Sequence, residues 1–448
     1  MSVVRFEPSG PLRGSLRPPS DKSISHRAAL IAAMGEGTTT IEGYLDAADT
    51  HSTLAAVADL GAEVGSVTTS VSAPTGSSLA AEGLARPPAI RIRGVGLRGP
   101  RPVSIDVGNA GTLLRLLPGW LAGQEIGEWT LDGDDSIRKR PVDRIAVPLR
   151  AMGARLSARE ERLPPLRVEA APLHGITYEM PIASAQVKSC ILFAGLLAEG
   201  ETAVVEIHPS RDHTERMLAA AGAEVGGEAG KVAIKPATRL EPGEIAVPAD
   251  ISSAAFFIVA ALLVADSEVV LEDVGVNPTR TGLLAILERM GAAIEVEPTG
   301  ERGGEPTARL RVRPAPLRGT EVGGAEVPLA IDELPLVALA ACFAEGTTTI
   351  RDAAELRRKE SDRVETVCAA LTALGGEVEP TADGMVVTGG GGLRGGTVSS
   401  HGDHRIAMLG AVAGLASREG VEVDGIEAAA VSYPGFEDDL GSLLGAGL

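Results

Sequence analysis

Aromatic residues and lysine are both scarce in this chain, with six Phe, three Tyr and two Trp, and lysine only at positions 22, 139, 188, 231, 235 and 359. So few rings cannot build the base-stacking platforms of single-strand binders. Positive charge is short as well: 41 Lys plus Arg stand against 60 Asp plus Glu, a formal charge of -19. Nonspecific attraction to nucleic acid or to an anionic membrane face is therefore excluded as a main activity. The longest uninterrupted apolar run, 254–265, has 12 residues, where a bilayer-crossing helix needs about 20. It predicts a buried helix. Residues 1–8 contain no basic stretch followed by an apolar segment, so no secretory signal is read and a cytoplasmic location is expected. The three cysteines, Cys190, Cys342 and Cys368, lie in apolar, helix-like stretches and are expected as packed, inert thiols. Neither His401 with His404 nor His208 with His213 has acidic or cysteine partners at zinc spacing, so no metal is expected. Gly389 to Gly392 lack a following Lys-Ser/Thr and are taken as a turn rather than a phosphate loop.

What the chain does have is repetition. A helix-like stretch ends in a glycine six times, at Gly61, Gly153, Gly222, Gly291, Gly375 and Gly445, in the sequence context where a helix C-terminus wants positive φ. Six β-branched runs recur beside them, among them Gly37-Thr38-Thr39-Thr40-Ile41 and its near copy Gly346-Thr347-Thr348-Thr349-Ile350. The intervals 65–104, 226–248 and 298–328 hold alternating segments such as Ile90-Arg91-Ile92-Arg93, which suit hairpin strands with one exposed face. Each unit is read as strand, helix, strand, further strand, helix. Length alone allows two or three domains. Six α/β units of roughly 70 residues divide instead three and three, into two similar domains.

The upstream helices are predicted to start near Ser23, Asn109, Ser184, Ser252, Asp332 and Asp403, residue types that cap free backbone N–H groups. Helix N-termini gathered together favour anions. Basic residues cluster at the same places, in Pro19-Ser20-Asp21-Lys22-Ser23-Ile24-Ser25-His26-Arg27, in Arg138-Lys139-Arg140-Pro141 and in Leu356-Arg357-Arg358-Lys359-Glu360-Ser361-Asp362-Arg363. In an acidic chain this predicts positive charge concentrated where a multiply anionic small molecule binds.

At these stretches, together with Gly108-Asn109-Ala110-Gly111-Thr112, Ser184-Ala185-Gln186, Ile331-Asp332-Glu333 and Asp403-His404-Arg405, the chain resembles the 5-enolpyruvylshikimate-3-phosphate synthase family over nearly its whole length. The resemblance implies an inverse α/β barrel fold of two domains, each of three repeated β/α units, with the active site in the interdomain cleft. It implies one domain over 21–247 and a second over 1–20 and 248–448. It implies transfer of the enolpyruvyl group of phosphoenolpyruvate to the 5-hydroxyl of shikimate 3-phosphate, with no cofactor.

By position in the motifs, shikimate 3-phosphate would be held by Lys22, Ser23, Arg27, Ser184, Gln186, Ser210, Asp332, Glu355 and Lys359. Phosphoenolpyruvate would be held by Lys22, Gly111, Arg140, Gln186, Arg363, His404 and Arg405. Arginine forks suit carboxylate and phosphate, and a glycine leaves backbone accessible to an anion. Asp332 is expected as the base near the 5-hydroxyl, with Lys22 and Glu360 as candidates for proton transfer at the transferred group. His404 is open between an active-site donor and a capping residue. Alanine at 185 and glutamate at 355 stand where many members carry serine and asparagine, and the segment 430–434 lacks a lysine common there. The resemblance further implies glyphosate binding in the phosphoenolpyruvate pocket, with Gly111 leaving room for it. Small-molecule substrates and a monomer are expected, without nucleic acid or membrane partners. Two rivals remain open at this point: the sister transferase acting on a UDP-linked amino sugar, and a noncatalytic repeat scaffold.

Overall fold

The computed structural model describes residues 2–67 and 89–445, so the middle of the interval 65–104 and Ala446 lie outside the described residues. The chain forms two compact units. A central unit comprises Ser20–Pro248 with Arg302–Glu305, and a terminal unit comprises Met1–Pro19, Ala249–Glu301 and Pro306–Leu448. Each has its own hydrophobic core.

Each unit is built from three small mixed sheets, and the sheets share one pattern. In the second repeat, strand Ser104–Asp106 runs parallel to Glu128–Asp132, which pairs antiparallel with Leu163–Glu169, which pairs antiparallel with Arg155–Arg159. The parallel pair is joined by helix Gly111–Ala122, and the second helix, Asp143–Ala151, precedes the hairpin. The repeat is therefore strand, helix, strand, helix, strand, strand. This corrects the predicted order, in which a further strand stood before the second helix. A parallel pair needs a crossover whereas an antiparallel pair closes through a tight turn, so the helices belong before the hairpin.

All six β-branched runs are strands, including Thr38–Glu42 and Thr347–Ile350. The alternating segment at 90–93 lies in Ala89–Arg93, where Ile92 is buried and Arg93 exposed. Three sheets are completed by distant strands. In the central unit Glu244–Ala246 pairs with Thr38–Glu42, and in the terminal unit Arg13–Leu16 pairs with Glu268–Gly275. These closures make the chain pass between units near 19–20 and again near 248–249. The sixth sheet has three described strands, Val3–Phe6, Val421–Asp424 and Gly396–Ser399.

The six helix-ending glycines all carry positive φ, from 76° at Gly445 to 109° at Gly61, as a left-handed helix stop requires. The apolar run at 254–265 falls mostly in helix Ile251–Leu263, which is buried on all sides against its neighbours. No helix among the described residues is long and apolar enough to cross a membrane.

Helix starts depart from prediction by two residues at two sites. Asp21, not Ser23, caps Lys22–Met34, and Asp250, not Ser252, caps Ile251–Leu263. Ser184 and Asp403 cap as predicted. Helix Gly111–Ala122 starts behind Ala110 without a side-chain cap, and Leu334–Phe343 starts behind Glu333. Asp332 is thus released from capping, and its carboxylate lies elsewhere.

Candidate active site

In the central unit helix Gly111–Ala122 packs against helix Ala185–Gly195. A methyl group on Gly119 would lie 2.1 Å from the carbonyl oxygen of Cys190, so the absent side chain is what lets the two backbones touch. This closeness brings the two helix starts into register. Gln186 donates through Nε2 to Thr112 Oγ1 at 3.1 Å and accepts at Oε1 from Arg115 Nη1 at 2.7 Å. At the same helix start the Arg140 guanidinium donates to Asn109 Oδ1 at 3.3 Å and covers Gly111, whose built Cβ would sit 2.6 Å from Arg140 Nη1. Gly111, Arg140 and Gln186 therefore gather donors at one partly buried helix N-terminus, the arrangement that attracts anions.

A second group gathers on helix Lys22–Met34. Lys22 Nζ donates to Asp49 Oδ2 at 3.0 Å, an ion pair with side chains 22% and 9% exposed. Ser23 Oγ accepts from Arg211 Nη1 at 3.2 Å. Arg27 is buried and braces this start from below, through Thr214 Oγ1 at 2.7 Å, Ser189 Oγ at 3.0 Å and the Ser23 carbonyl at 2.9 Å. Ser210 lies beside Arg211, and its hydroxyl donates to Glu206. His26, one residue from Arg27, is fully buried, and burial pulls its imidazole down to about 4, so it is neutral at pH 7.

The terminal unit assembles the remaining predicted residues around one guanidinium. Arg363, the first residue of helix Arg363–Ala373, is 1% exposed. It forks onto Asp403 at 2.9 and 3.2 Å, meets Glu360 Oε2 at 2.6 Å and Asp332 Oδ1 at 3.4 Å. Asp332 Oδ1 also accepts from Lys359 Nζ at 3.0 Å, and its backbone carbonyl accepts from Arg405 Nη1 at 3.0 Å. Arg405 lies 3.6 Å from Glu333, which in turn accepts from Ser252. His404 is buried at the start of helix His404–Ala416, with Nδ1 4.0 Å from Asp403 Oδ1. Glu355 is partly buried in the short turn Ala354–Arg358 that leads into this cluster.

Electrostatics follow from that packing. Burial alone would lower the Arg363 pKa, but Asp403, Glu360 and Asp332 outweigh it and the net shift is upward. Burial would raise Asp403, and the Arg363 and His404 charges more than reverse it, holding the carboxyl below its usual range. The predicted surplus of positive charge is not what the cluster shows. Asp332, Glu333, Glu360 and Asp403 accompany Lys359, Arg363 and Arg405, so the cations are paired and pre-aimed rather than massed. Desolvated guanidinium groups need such partners, because an unpaired buried charge is costly.

The chain matches the model of the family described as EPSP synthase (3-phosphoshikimate 1-carboxyvinyltransferase) over residues 6–440. It belongs to that family. The 3-phosphoshikimate 1-carboxyvinyltransferase of Synechococcus sp. (strain RCC307) is 47% identical over 451 residues, covering 99% of each chain. The enzyme of that name from Xanthomonas euvesicatoria pv. vesicatoria is 48% identical, covering 98% of this chain and 95% of its own. A solved EPSP synthase from Acinetobacter baumannii superposes with a TM-score of 0.83 at 41% identity over 98% of both chains. The fold is accordingly the two-domain inverse α/β barrel of that family.

Several supporting residues escaped sequence reading. Arg115, Thr112, Arg211, Asp49 and Glu333 each touch a predicted site residue. Thr112 and Glu333 stood in motif stretches without a role of their own, and Arg115 carried a signal in that it sits one helical turn from Thr112 and so on the same face. His213, at the start of helix His213–Ala220, is 1% exposed and bonded through Nδ1 to Glu305 at 2.8 Å.

Proposed function

We propose that the two clusters divide the labour of the family's reaction, transfer of the enolpyruvyl group of phosphoenolpyruvate to the 5-hydroxyl of shikimate 3-phosphate. In the central unit, Ser184, Ser210, Ser23 and Arg27, with Arg211, take the phosphate of shikimate 3-phosphate. Lys22, Gly111, Arg140 and Gln186 there receive the anionic oxygens of phosphoenolpyruvate. In the terminal unit, Arg363, Arg405 and His404 serve phosphoenolpyruvate, while Lys359 and Glu355 serve the shikimate ring.

Asp332 is the base. Its carboxylate takes the proton of the 5-hydroxyl as that oxygen bonds to C2 and a proton is added at C3. The resulting tetrahedral intermediate then breaks its C2–O bond to phosphate and loses a C3 proton, which restores the double bond and releases inorganic phosphate. Glu360 and Lys22 are the groups that exchange the C3 proton, and both are already held by fixed ion pairs. A positioned base and preset charges need no rearrangement at the moment of reaction.

The observation that carries this reading is Asp332, held by Lys359 and Arg363 through the same oxygen while its carbonyl orients Arg405. A carboxylate aimed in this way is a poor ornament for a scaffold. The reaction is read as one between free metabolites in the cytoplasm, catalysed by a single chain without cofactor, and glyphosate is read as a competitor of phosphoenolpyruvate. The test is phosphate release from phosphoenolpyruvate by wild type and Asp332→Ala. Wild type should require shikimate 3-phosphate, and the variant should lose on the order of 10²–10⁴ in kcat. Release driven only by a UDP-linked amino sugar, or an undiminished variant, would overturn it.

A further inference from the structure

Lys188 is the one buried lysine among the described residues, 1% exposed in helix Ala185–Gly195. Its ammonium donates to Glu206 Oε2 at 2.8 Å and to Glu215 Oε1 at 2.7 Å, and it reaches the carbonyl of Ser210 at 3.2 Å. The other oxygen of Glu206 accepts from the Ser210 backbone N–H at 3.2 Å and from the Ser210 hydroxyl. All three polar groups of Ser210 therefore close on one buried ion pair. Ser189, the next residue of the same helix, meets Thr214 Oγ1 at 2.6 Å and Arg27 at 3.0 Å. The loop from Glu206 to Thr214 is gripped on both sides of Arg211, and Arg211 points at Ser23.

Stability does not account for this arrangement. Taking an ammonium and two carboxylates out of water is costly, and an apolar side chain of similar volume commonly serves a core as well. What a buried charge supplies that an apolar group cannot is direction. Glu206 Oε2 meets the Lys188 ammonium while its Oε1 accepts from both the hydroxyl and the amide of Ser210, so the buried pair fixes two donors of that residue. Burial raises the Glu215 pKa, and the lysine opposes that rise.

We infer that Lys188 is a positioning residue for phosphate recognition: it sets the 206–214 loop so that Arg211 and Ser23 present their donors together to the phosphate of the substrate. Lys188 itself touches no substrate. This rests on the function proposed above, which places the shikimate phosphate at that loop.

The experiment uses Lys188→Met/Glu215→Gln, which removes one positive and one negative charge and leaves the Glu206 to Ser210 bonds in place. Glu206 then lacks its cation, so the melting temperature is expected below wild type in a chain that still folds, with KM for shikimate 3-phosphate raised at least tenfold and KM for phosphoenolpyruvate within twofold. Recovery of a wild-type KM for shikimate 3-phosphate would show that Lys188 only balances charge and would overturn the inference, as would equal rises in both KM values. Should the double variant not fold, the near-isosteric Glu206→Gln carries the same expectation and the same refutation. If wild type fails to turn over the substrate pair, the functional reading falls, and binding of inorganic phosphate then decides: the double variant must bind it at least fivefold more weakly, and equal binding rejects the role.

Discussion

Replacing Gly111 with alanine separates substrate binding from folding more cleanly than any other single change in the central unit. The new methyl would sit 2.6 Å from Arg140 Nη1, whereas ordinary contacts begin near 3.4 Å, so the guanidinium must retreat by about 0.8 Å. That retreat lengthens its bonds to Asn109 and Ser136, which are already 3.3 and 3.5 Å. The backbone bears no strain, since Gly111 is absent from the positive-φ glycines and begins a helix. Alanine there is neutral or favours the helix by up to about 1 kcal/mol. A displaced guanidinium, however, loses a charge-assisted hydrogen bond to the anion, worth roughly 1.5–3 kcal/mol. Since 1.4 kcal/mol is about tenfold, KM for phosphoenolpyruvate should rise on the order of 10- to 150-fold. The assay is phosphate release at saturating shikimate 3-phosphate, with phosphoenolpyruvate varied and a melting curve on the same preparation. On the proposed reading, in which glyphosate competes with phosphoenolpyruvate at this position, its inhibition should weaken in parallel. A KM for phosphoenolpyruvate within twofold of wild type, in a variant that melts normally, would refute the placement of Arg140 over that anion.

Other expectations follow from the buried charges. Arg363→Met takes the guanidinium from Asp403, Glu360 and Asp332, and should cost about 3–5 kcal/mol in urea unfolding; an unaltered midpoint would count against the guanidinium as the hub. The folded Asp403 carboxyl sits below its usual value, so its contribution is present above the unfolded carboxyl pKa and fades as pH falls through the folded one; in Arg363→Met the loss should begin at higher pH, measurable from unfolding curves at graded acidity. His26 is lowered to about 4, so the unfolded chain binds the extra proton, stability is full above about pH 6.5, and up to about 3 kcal/mol disappears on acidification towards pH 4. His26→Gln should flatten that part of the profile, and an unchanged slope would contradict it. The thiols are buried, which pushes Cys342 up to about 12 and Cys368 to about 11 and raises Cys190 further; a thiol reagent should label none in the native protein and three after denaturation.

What could be read without coordinates was whatever depends on neighbours in the chain. A positive-φ stop after a helix, as at Gly61 or Gly375, is dictated by one residue and its predecessor. The six β-branched strands and the buried helix after Asp250 show in short windows, and the ordered motifs sufficed to imply the family. Local chemistry already blurred at the helix starts, where Asp21 and Ser23 are both competent caps and only the backbone angles select the former. The placement of the second helix before each hairpin depended on which strands pair, a long-range matter.

Charge organisation belonged wholly to the tertiary structure. Lys22 meets Asp49 across 27 residues, Gln186 meets Arg115 across 71, and Arg211 meets Ser23 across 188. Lysine 188 looked in sequence like one more residue of an apolar helix, yet it became the centre of a buried ion pair through loop residues 18 and 22 positions away. Ion pairs and hydrogen bonds select partners by distance in space and by desolvation, neither of which leaves a periodic trace along the chain. The sequence therefore determined the repeat and the candidate residues, while packing alone decided which cation each carboxylate would hold.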